Sequence, residues 1–373
     1  MLKSLMLRKI TDANLKGKKV FIRCDFNVPI SRGKILDEFR IISALKTINY
    51  VLKKGAKQII LASHLGRPEG IDLNYSLKPV VARLEKLLER KVVFNELNST
   101  NKIILLENLR FDSGEQKGSK SFALKLSKLA DVYINDAFGT SHRKDASVYV
   151  LPKLLPSYAG FLVIQELENL NIKNMKKPIV AIFGAAKIKD KLPLLKKLLI
   201  NVDKVILAGA SEFTFFKSFG LGVGKSLYEE ELIKEAKSLF KKYSTKMIFP
   251  LDFNGEIDEH RTLIGIPFDQ IPKSMYCYDV GKKSVKLFKI VLKDARTIIW
   301  NGPLGMFEKK PYDKSTNDLG KFVSGLKAKT IICGGDTVSA LKKYKFSYVS
   351  TGGGASLKLL AGDRLPGVEV LND

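Results

Sequence analysis

Four predicted strands in the first half of the chain each end in a segment that contains an arginine. The segments are Arg23-Cys24-Asp25-Phe26-Asn27-Val28-Pro29, Ser63-His64-Leu65-Gly66-Arg67-Pro68, Glu107-Asn108-Leu109-Arg110-Phe111 and Asn135-Asp136-Ala137-Phe138-Gly139-Thr140-Ser141-His142-Arg143. With Arg40, which opens the first predicted helix, five of the twelve arginines are expected at one edge of a sheet. A guanidinium presents a planar fork of donors to phosphate or carboxylate. The pattern predicts a pocket for a small polyanion; the alternative is structural ion pairs with Asp25, Asp136 and Glu107.

Two of the three histidines, His64 and His142, lie in these same segments. They are expected to contact the anion, because the chain has no HExxH motif and no His–carboxylate spacing typical of a metal hydrolase. The third histidine, His260, is interpreted as structural.

The second half of the chain carries glycine-rich segments at its predicted strand ends. They are Phe183-Gly184-Ala185-Ala186-Lys187-Ile188-Lys189-Asp190-Lys191, Ala208-Gly209-Ala210-Ser211, Cys333-Gly334-Gly335-Asp336-Thr337 and Ser350-Thr351-Gly352-Gly353-Gly354-Ala355-Ser356. Glycine lets backbone N–H groups approach a phosphate closely, and the following helix adds its dipole. Together they predict a nucleotide phosphate site. The chain lacks the GxxxxGK[ST] motif, the GxGxxG fingerprint with its acidic partner, and the HRD and DFG motifs of protein kinases.

Asp336 follows two glycines and precedes a predicted helix. A carboxylate there suits Mg²⁺ bound to nucleotide phosphates, since Mg²⁺ usually takes one or two carboxylates plus phosphate oxygens. The alternative interpretation is the N-cap of the helix.

The arginine and glycine segments lie at the ends of predicted strands, and predicted helices lie between these strands. Strands are predicted over Val20–Arg23, Gln58–Ala62, Ile103–Leu106, Val132–Asn135, Pro178–Phe183, Lys204–Ala208, Met247–Pro250, Thr297–Trp300, Thr330–Cys333 and Tyr348–Ser350. Helical spacing covers Ile41–Lys54, Leu77–Glu89, Leu192–Leu199 and Glu229–Lys242, with a join near Leu151–Lys177. Two such blocks predict an α/β protein with two doubly wound parallel sheets. Ligands of such sheets bind beyond the carboxyl ends of the strands.

Composition limits the partners and the compartment. The 373 residues carry 64 Lys and Arg against 38 Asp and Glu, a net charge of +26 that favours anionic partners, although most of it is lysine on a solvated surface. The three cysteines form no CxxC pair, which argues against disulfides and a zinc site. The first residues do not resemble a secretory signal, and no apolar run has the length of a membrane span. We therefore expect a cytoplasmic protein.

Taken in order, the segments resemble phosphoglycerate kinases. The resemblance rests on Arg23–Pro29, Ser63–Pro68, Leu106–Phe111, Asn135–Arg143, Gly184–Lys191, Trp300–Glu308, Gly334–Thr337, Ser350–Leu357 and Leu365–Val368. It implies two Rossmann-like domains joined by an interdomain helix and hinge. The N-terminal phosphoglycerate-binding domain would cover residues 1–158 plus about 360–373, the helix and hinge 159–175, and the C-terminal nucleotide-binding domain 176–359. The resemblance also implies a monomer whose hinge closes when both substrates bind.

The implied reaction is reversible phosphoryl transfer from 1,3-bisphosphoglycerate to ADP, giving 3-phosphoglycerate and ATP, with Mg²⁺ on the nucleotide. The implied phosphoglycerate ligands are Arg23, Asp25, Phe26, Asn27, Arg40, His64, Leu65, Gly66, Arg67, Arg110, His142 and Arg143. The implied nucleotide ligands are Lys187, Lys191, Gly209, Gly281, Asn301, Glu308, Gly334, Gly335, Asp336 and Thr337, with Asp336 also on Mg²⁺. The implied catalytic groups are Arg40, Lys191 and the backbone N–H groups near Gly335 and Gly353.

The chain departs from the family pattern in its glycine segments. Ala185, Ala210-Ser211 and Cys333 stand where the family has Gly, Gly-Met and Gly, and Ser315-Thr316 stands for a Gly-Thr pair. These changes leave nucleotide preference open. Two rival classes are a nucleic-acid-binding protein, suggested by the isoelectric point near 9.7, and an NAD-dependent dehydrogenase. The chain has neither an RNP-like aromatic motif nor the dinucleotide fingerprint, so specific nucleic-acid binding is not expected.

Overall fold

The structure, a computed structural model, describes residues 6–185, 188–189, 191–258 and 261–372. The chain divides into two compact units, Met1–Leu170 with Asp363–Asp373, and Asn171–Gly362. Each unit contains a six-stranded parallel sheet. The domain and hinge boundaries given above stay a prediction.

The first unit alternates strands and helices from residue 19 to residue 170. Its strands are β1 (Lys19–Arg23), β2 (Ile30–Ser31), β3 (Lys34–Ile35), β4 (Gln58–Ala62), β5 (Val93–Phe94), β6 (Ile103–Leu105), β7 (Val132–Asn135) and β8 (Ser157–Ala159). Its helices are α1 (Phe39–Lys53), α2 (Lys78–Leu88), α3 (Ser113–Gln116), α4 (Lys120–Ser127) and α5 (Phe161–Leu170). The parallel sheet has the order β5-β6-β4-β1-β7-β8, with β1 paired to β4 and β7.

The core of this sheet follows from its sequence. β4 is buried at every residue, as expected for a parallel strand with both faces covered. Helix α1 buries Ile41, Ala44, Ile48 and Val51, whose spacing places them on one face. This packing orders the strand ends where the arginine segments begin.

The second unit repeats the architecture and adds a second sheet. Its strands are β9 (Ile179–Ala185), β10 (Lys204–Gly209), β11 (Met247–Ile248), β12 (Asp252–Ile257), β13 (Arg261–Pro267), β14 (Met275–Val280), β15 (Thr297–Asn301), β16 (Lys329–Cys333) and β17 (Tyr348–Val349). Its helices are α6 (Leu192–Asn201), α7 (Ser211–Ser218), α8 (Ile233–Tyr243), α9 (Lys282–Lys293), α10 (Lys314–Ser324), α11 (Gly335–Leu341) and α12 (Gly353–Leu360). The parallel sheet has the order β11-β10-β9-β15-β16-β17. A short helix, α13 (Pro366–Glu369), lies in the C-terminal segment of the first unit.

The predicted α/β class with two parallel sheets is confirmed, and each predicted strand overlaps an observed one. The antiparallel sheet β13-β12-β14 was not predicted. Polar and apolar residues alternate only weakly in these strands: β12 has the sequence Asp-Phe-Asn-Gly-Glu-Ile, and it bulges near Gly255. The stretch interpreted as a join contains β8 and α5, which cluster with the first unit. Among the described residues, no helix combines the length and the apolar character needed to cross a membrane.

Candidate active site

The segment after β1 forms a hydrogen-bonded turn with Arg40 at the start of α1. Asp25 Oδ1 accepts from Asn27 N at 3.1 Å and from Arg40 Nη1 at 3.2 Å. Arg40 Nη1 also donates to Asn27 O at 3.1 Å. Asp25 is 3% exposed, whereas the Arg40 side chain is 27% exposed. The nearly buried carboxylate therefore anchors a guanidinium that still reaches solvent.

The segment after β4 contains a close backbone approach at Gly66. Gly66 has φ +62° and donates from N to Asn27 Oδ1 at 2.9 Å. A Cβ at this position would overlap the Tyr75 ring, so the loop requires glycine. Asn108, which sequence reasoning did not single out, donates to Leu65 O at 2.7 Å and accepts from Leu65 N at 3.2 Å. Its place three residues after β6 and two residues before Arg110 was the available signal.

Arg110 carries unused donors. It is 3% exposed, and Nη1 donates to Gly66 O. Nε and Nη2 are buried without a hydrogen-bond partner among the described residues. Burial, and then the neighbouring charge of Arg143, lower the pKa of Arg110 to about 10. Because buried donors are nearly always satisfied, the N–H groups on Nε and Nη2 are suited to an acceptor from a ligand, and the charge of the guanidinium favours an anionic one.

The pKa of His64 shows that the arginines converge. Burial lowers it well below its ordinary value, and the charges of Arg23, Arg110, Arg40 and Arg143 lower it further. His64 is 4% exposed and lies with four of the five predicted arginines around it. The edge thus concentrates positive charge around a neutral imidazole, which is an arrangement suited to a polyanion.

Arg23 differs from the other arginines because its side chain is fully buried. Its Nε donates to Ser147 Oγ at 2.7 Å, Nη1 donates to Cys24 O, and Nη2 lies 3.8 Å from Glu115 Oε1. These contacts direct its donors into the protein. Arg23 therefore lies behind the proposed pocket, and direct ligand contact by Arg23 has no support in this geometry.

The remaining predicted residues divide by exposure. Arg67 is exposed, and His142 and Arg143 are half-buried. Phe26 and Leu65 are buried, so they contribute only backbone atoms or shape. The structural alternative fits Arg40 and Asp25, which pair, whereas Arg23 pairs with Glu115, a residue that the alternative did not include. Asp136 instead accepts from Leu162 N of α5, and Glu107 from Leu77 N before α2.

In the second unit, Lys191 lies at the start of α6 beside the ends of β9 and β15. Its Nζ donates to Gly184 O at 3.1 Å and to Asn301 Oδ1 at 3.3 Å. Burial lowers the pKa of Lys191, and the charge of Asp336 opposes this effect. Asn301 in turn donates from Nδ2 to Cys333 O at 3.1 Å, so these contacts join three glycine-rich or polar strand ends. Lys187 and His260 lie outside the described residues.

Two glycines hold these strand ends in close contact. Gly302 has φ +95°, and a Cβ there would overlap Gly184 O. The N–H of Gly302 donates to Thr337 Oγ1 at 2.7 Å, so the buried Thr337 hydroxyl already accepts a hydrogen bond within the protein. Gly334 has φ +91°, and its Cβ would lie 2.8 Å from Asn301 Nδ2. The loops therefore cross at distances that only glycine allows.

The residues at the start of α11, next to this crossing, are polar and open to solvent. Gly335 and Asp336 begin α11 and are exposed, and a Cβ on Gly335 or Gly353 would meet open space. Among the described residues there is no group of three or more His, Cys, Asp and Glu that could hold a metal ion alone. One exposed carboxylate at a helix start, beside Lys191, fits Mg²⁺ that takes most of its ligands from nucleotide phosphates and water.

The comparisons with known proteins agree along the whole chain. The model of the family described as phosphoglycerate kinase matches residues 10–363. Phosphoglycerate kinase of a Nitratiruptor species is 43% identical over 98% of each chain, and the cytosolic enzyme of Triticum aestivum is 44% identical over 97% of each. The solved structure from Coxiella burnetii superposes with TM-score 0.86 at 34% identity, covering 98% of this chain and 99% of that one.

The chain belongs to the phosphoglycerate kinase family. It is an enzyme, a kinase that transfers a phosphoryl group to or from a carboxyl group.

Two residues of the implied nucleotide site have internal contacts. Gly281 is buried, and a Cβ there would overlap the Asp252 carboxylate, so its need for glycine is explained by packing. Gly209 has φ +82°, and its Cβ would lie 2.8 Å from Ala185 N and O. Glu308 is exposed. The nucleotide contacts of all three stay a prediction.

The departures from the family pattern are accommodated locally. Ala185 pairs with Gly209 in adjacent strands, and its methyl group is nearly buried. Ser315 donates from N to Asp279 Oδ2 at 3.1 Å and from its hydroxyl to Oδ1, while Thr316 Oγ1 accepts from Leu304 N at 3.0 Å. The hydrogen bonds of Ser315 and Thr316 thus hold the start of α10 in place.

Proposed function

We propose that the arginine edge of the first unit binds 3-phosphoglycerate or 1,3-bisphosphoglycerate. The Nε–H and Nη2–H groups of Arg110, which have no hydrogen-bond partner in the part of the chain that the structure describes, carry this proposal, because they lie buried amid positive charge and suit anionic acceptors. Arg40 and Arg143, each with solvent access, would supply further donors, and Arg67 would extend the charge outward. Asp25 and Asn27 would hold the glycerate end, where acceptors suit hydroxyl groups.

We propose that the glycine-rich edge of the second unit binds ADP or ATP with Mg²⁺. Lys191, held by Gly184 O and Asn301, would contact the phosphates, and the exposed N–H groups from Gly335 onward would donate to them at the start of α11. Asp336 would hold Mg²⁺, which when bound shields the charge of the nucleotide phosphates. Glu308 would contact the ribose.

The chemistry fits these side chains. In transfer between an acyl phosphate and ADP, carboxylate and ADP oxygens are both good leaving groups, so a strong general base is not needed. The lowered pKa of His64 makes its ring a weak base, so its part in this reaction would be to donate a hydrogen bond from its one N–H. Catalysis would come from positioning the reacting oxygens and neutralising charge spread over the phosphoryl group.

Three further properties are proposed with this reaction. A cytoplasmic location matches free, separated cysteines, and glycolytic substrates support the same location. A monomeric state and hinge closure over bound substrates are proposed from the family resemblance.

The test is formation of ADP from ATP that depends on both 3-phosphoglycerate and Mg²⁺, with hydroxylamine trapping the acyl phosphate. We expect turnover that stops when either is omitted. A folded protein that binds nucleotide without producing the trapped product would contradict the proposal. Replacing 3-phosphoglycerate with 2-phosphoglycerate is the matched control, since it moves the phosphate but keeps the charge.

A further inference from the structure

The fully buried guanidinium of Arg23 contacts the ring of His64. Arg23 Nη2 lies 3.4 Å from His64 Nδ1, while Nε and Nη1 are used by Ser147 Oγ and Cys24 O. A guanidinium has five donors and no acceptor. The contact is therefore favourable only when Nδ1 of His64 carries a lone pair rather than a proton.

This constraint fixes where the imidazole proton lies. Burial and four arginines hold the pKa of His64 well below its ordinary value, so the ring is neutral near pH 7 and carries one N–H. With Nδ1 as acceptor, that N–H is Nε2–H. Nε2 has no hydrogen-bond partner among the described residues, so its proton is available to a ligand.

Buried hydrogen bonds through Ser147 and Glu115 orient Arg23. Glu115 is fully buried, and its Oε1 accepts from Ser147 Oγ at 2.6 Å and its Oε2 from Ser147 N at 3.0 Å. The Ser147 hydroxyl thus donates a hydrogen bond to Glu115 Oε1 and accepts one from Arg23 Nε. Glu115 also balances the buried positive charge at 3.8 Å. Burial raises the pKa of Glu115 and the charge of Arg23 lowers it, and in either protonation state of Glu115 the Nη2 of Arg23 can only donate to His64 Nδ1.

We propose that Arg23 is a positioning residue that holds His64 in the Nε2–H tautomer, so that a neutral ring donates a hydrogen bond to an anionic oxygen of phosphoglycerate. The ligand's identity rests on the proposed function; the tautomer rests on the Arg23, Ser147 and Glu115 contacts. Arg23 then acts through His64 instead of touching substrate, which explains a buried arginine at a binding edge.

The tautomer is measured on the full chain labelled with ¹⁵N-histidine. Long-range ¹H–¹⁵N correlation distinguishes the two neutral tautomers and the imidazolium, and His64→Gln assigns the signals. We expect the Nε2–H form alone at pH 7 without ligand. A proton on Nδ1, or an imidazolium, would overturn the inference whatever the enzyme's activity.

The variant Arg23→Met/Glu115→Gln removes both opposite charges together. We expect His64 to show a mixture of tautomers and the KM for 3-phosphoglycerate to rise about tenfold, with a smaller change in kcat. The matched control, Arg364→Met/Glu369→Gln, removes an exposed pair of the same unit and should change neither. A folded Arg23 variant with an unmixed Nε2–H signal and unchanged KM would contradict the inference.

Titration of the wild type keeps the inference testable if that variant fails to fold. Adding 3-phosphoglycerate should shift the Nε2–H signal and leave Nδ1 unprotonated; protonation of Nδ1 in the complex would overturn it. Absence of binding, with the Nε2–H form present in the free protein, would instead contradict the proposed function and support the arrangement of Arg23 and His64.

Discussion

The two units place similar parallel sheets beneath different binding edges. In the first unit the edge presents side chains, with Arg40 anchored on Asp25 and Arg110 on Gly66 O. In the second unit the edge presents backbone, because Gly302 and Gly334 let loops cross where a side chain would overlap neighbours. The difference follows from the ligands proposed: guanidinium forks suit the separated carboxyl and phosphate ends of a small molecule, while backbone N–H groups suit a chain of phosphates.

This comparison predicts opposite sensitivities. The first edge should suffer when a side chain is removed, and the second when a methyl group is added. Lys191 is the exception in the second unit, since its side chain carries charge to the backbone-lined edge.

The largest expected effect is that of Lys191→Ala. We expect kcat to fall about 10²–10³-fold, because a charged donor at the transferring phosphates is lost. The control is Lys196→Ala on the same helix, whose Nζ pairs with Glu235. Steady-state rates in the ADP-forming assay measure both, and near-wild-type kcat for Lys191→Ala would remove Lys191 from the site.

Arg40→Ala tests the first edge in the same way. We expect a similar loss of kcat, about 10²-fold or more, because the partly exposed guanidinium would face the phosphoryl end of the ligand. Arg83→Ala, which breaks a pair with Glu38 in the same unit, is the matched control. An effect limited to the KM for ATP would show that Arg40 was assigned to the wrong ligand.

Gly302→Ala tests the backbone edge. The positive φ and the overlap with Gly184 O should lower the free energy of unfolding by about 3 kcal/mol. Gly325→Ala is the control, because Gly325 has φ −91° and ordinary contact distances. Urea unfolding compares the two; equal midpoints would mean that the close crossing is not needed for stability.

Two buried carboxyls, one in each unit, should make the stability of the protein depend on pH. Burial raises the pKa of Asp136 and of Asp279 to about 7 from an ordinary value of 3.8. The folded state therefore binds more protons than the unfolded state between these values, and stability should fall as pH rises from about 4 to about 7. Each group contributes at most about 1.4 kcal/mol per pH unit.

Asp136→Asn and Asp279→Asn should each flatten this dependence while keeping an acceptor for Leu162 N or Ser315 N. Asp131→Asn, an exposed carboxylate that accepts from Lys19 N, is the control. Urea midpoints measured from pH 4 to 8 test the sign. A variant with the wild-type slope would show that its carboxyl is ionised throughout.

Much of the fold was predictable because buried parallel strands are continuous aliphatic runs. β4 and β7 were predicted with the observed bounds, and α1 to within two residues at its start. The sheet β13-β12-β14 was missed because Asn254, Gly255 and Glu256 interrupt its alternation. The arginine positions were likewise predictable, since four of the five lie at or beyond a strand end and Arg40 lies at the start of α1.

The roles of Arg23 and Gly281 could not be predicted locally. Arg23 ends one strand and Arg110 follows another, yet only tertiary contacts with Ser147 and Glu115, more than 90 residues away in sequence, bury Arg23. Gly281 stands at a helix start, as a ligand glycine would, but the Asp252 carboxylate fills the space beside it.

The sequence by itself determined the α/β class, the family and the two edges where charge and glycine collect, because strand periodicity and ordered motifs are local properties. The tertiary structure decided which of these residues are buried behind the edges and which reach solvent. Burial and hydrogen bonding depend on partners distant in sequence: Ser147 and Glu115 hold Arg23 inward, and Arg110 keeps Nε and Nη2 without a partner among the described residues.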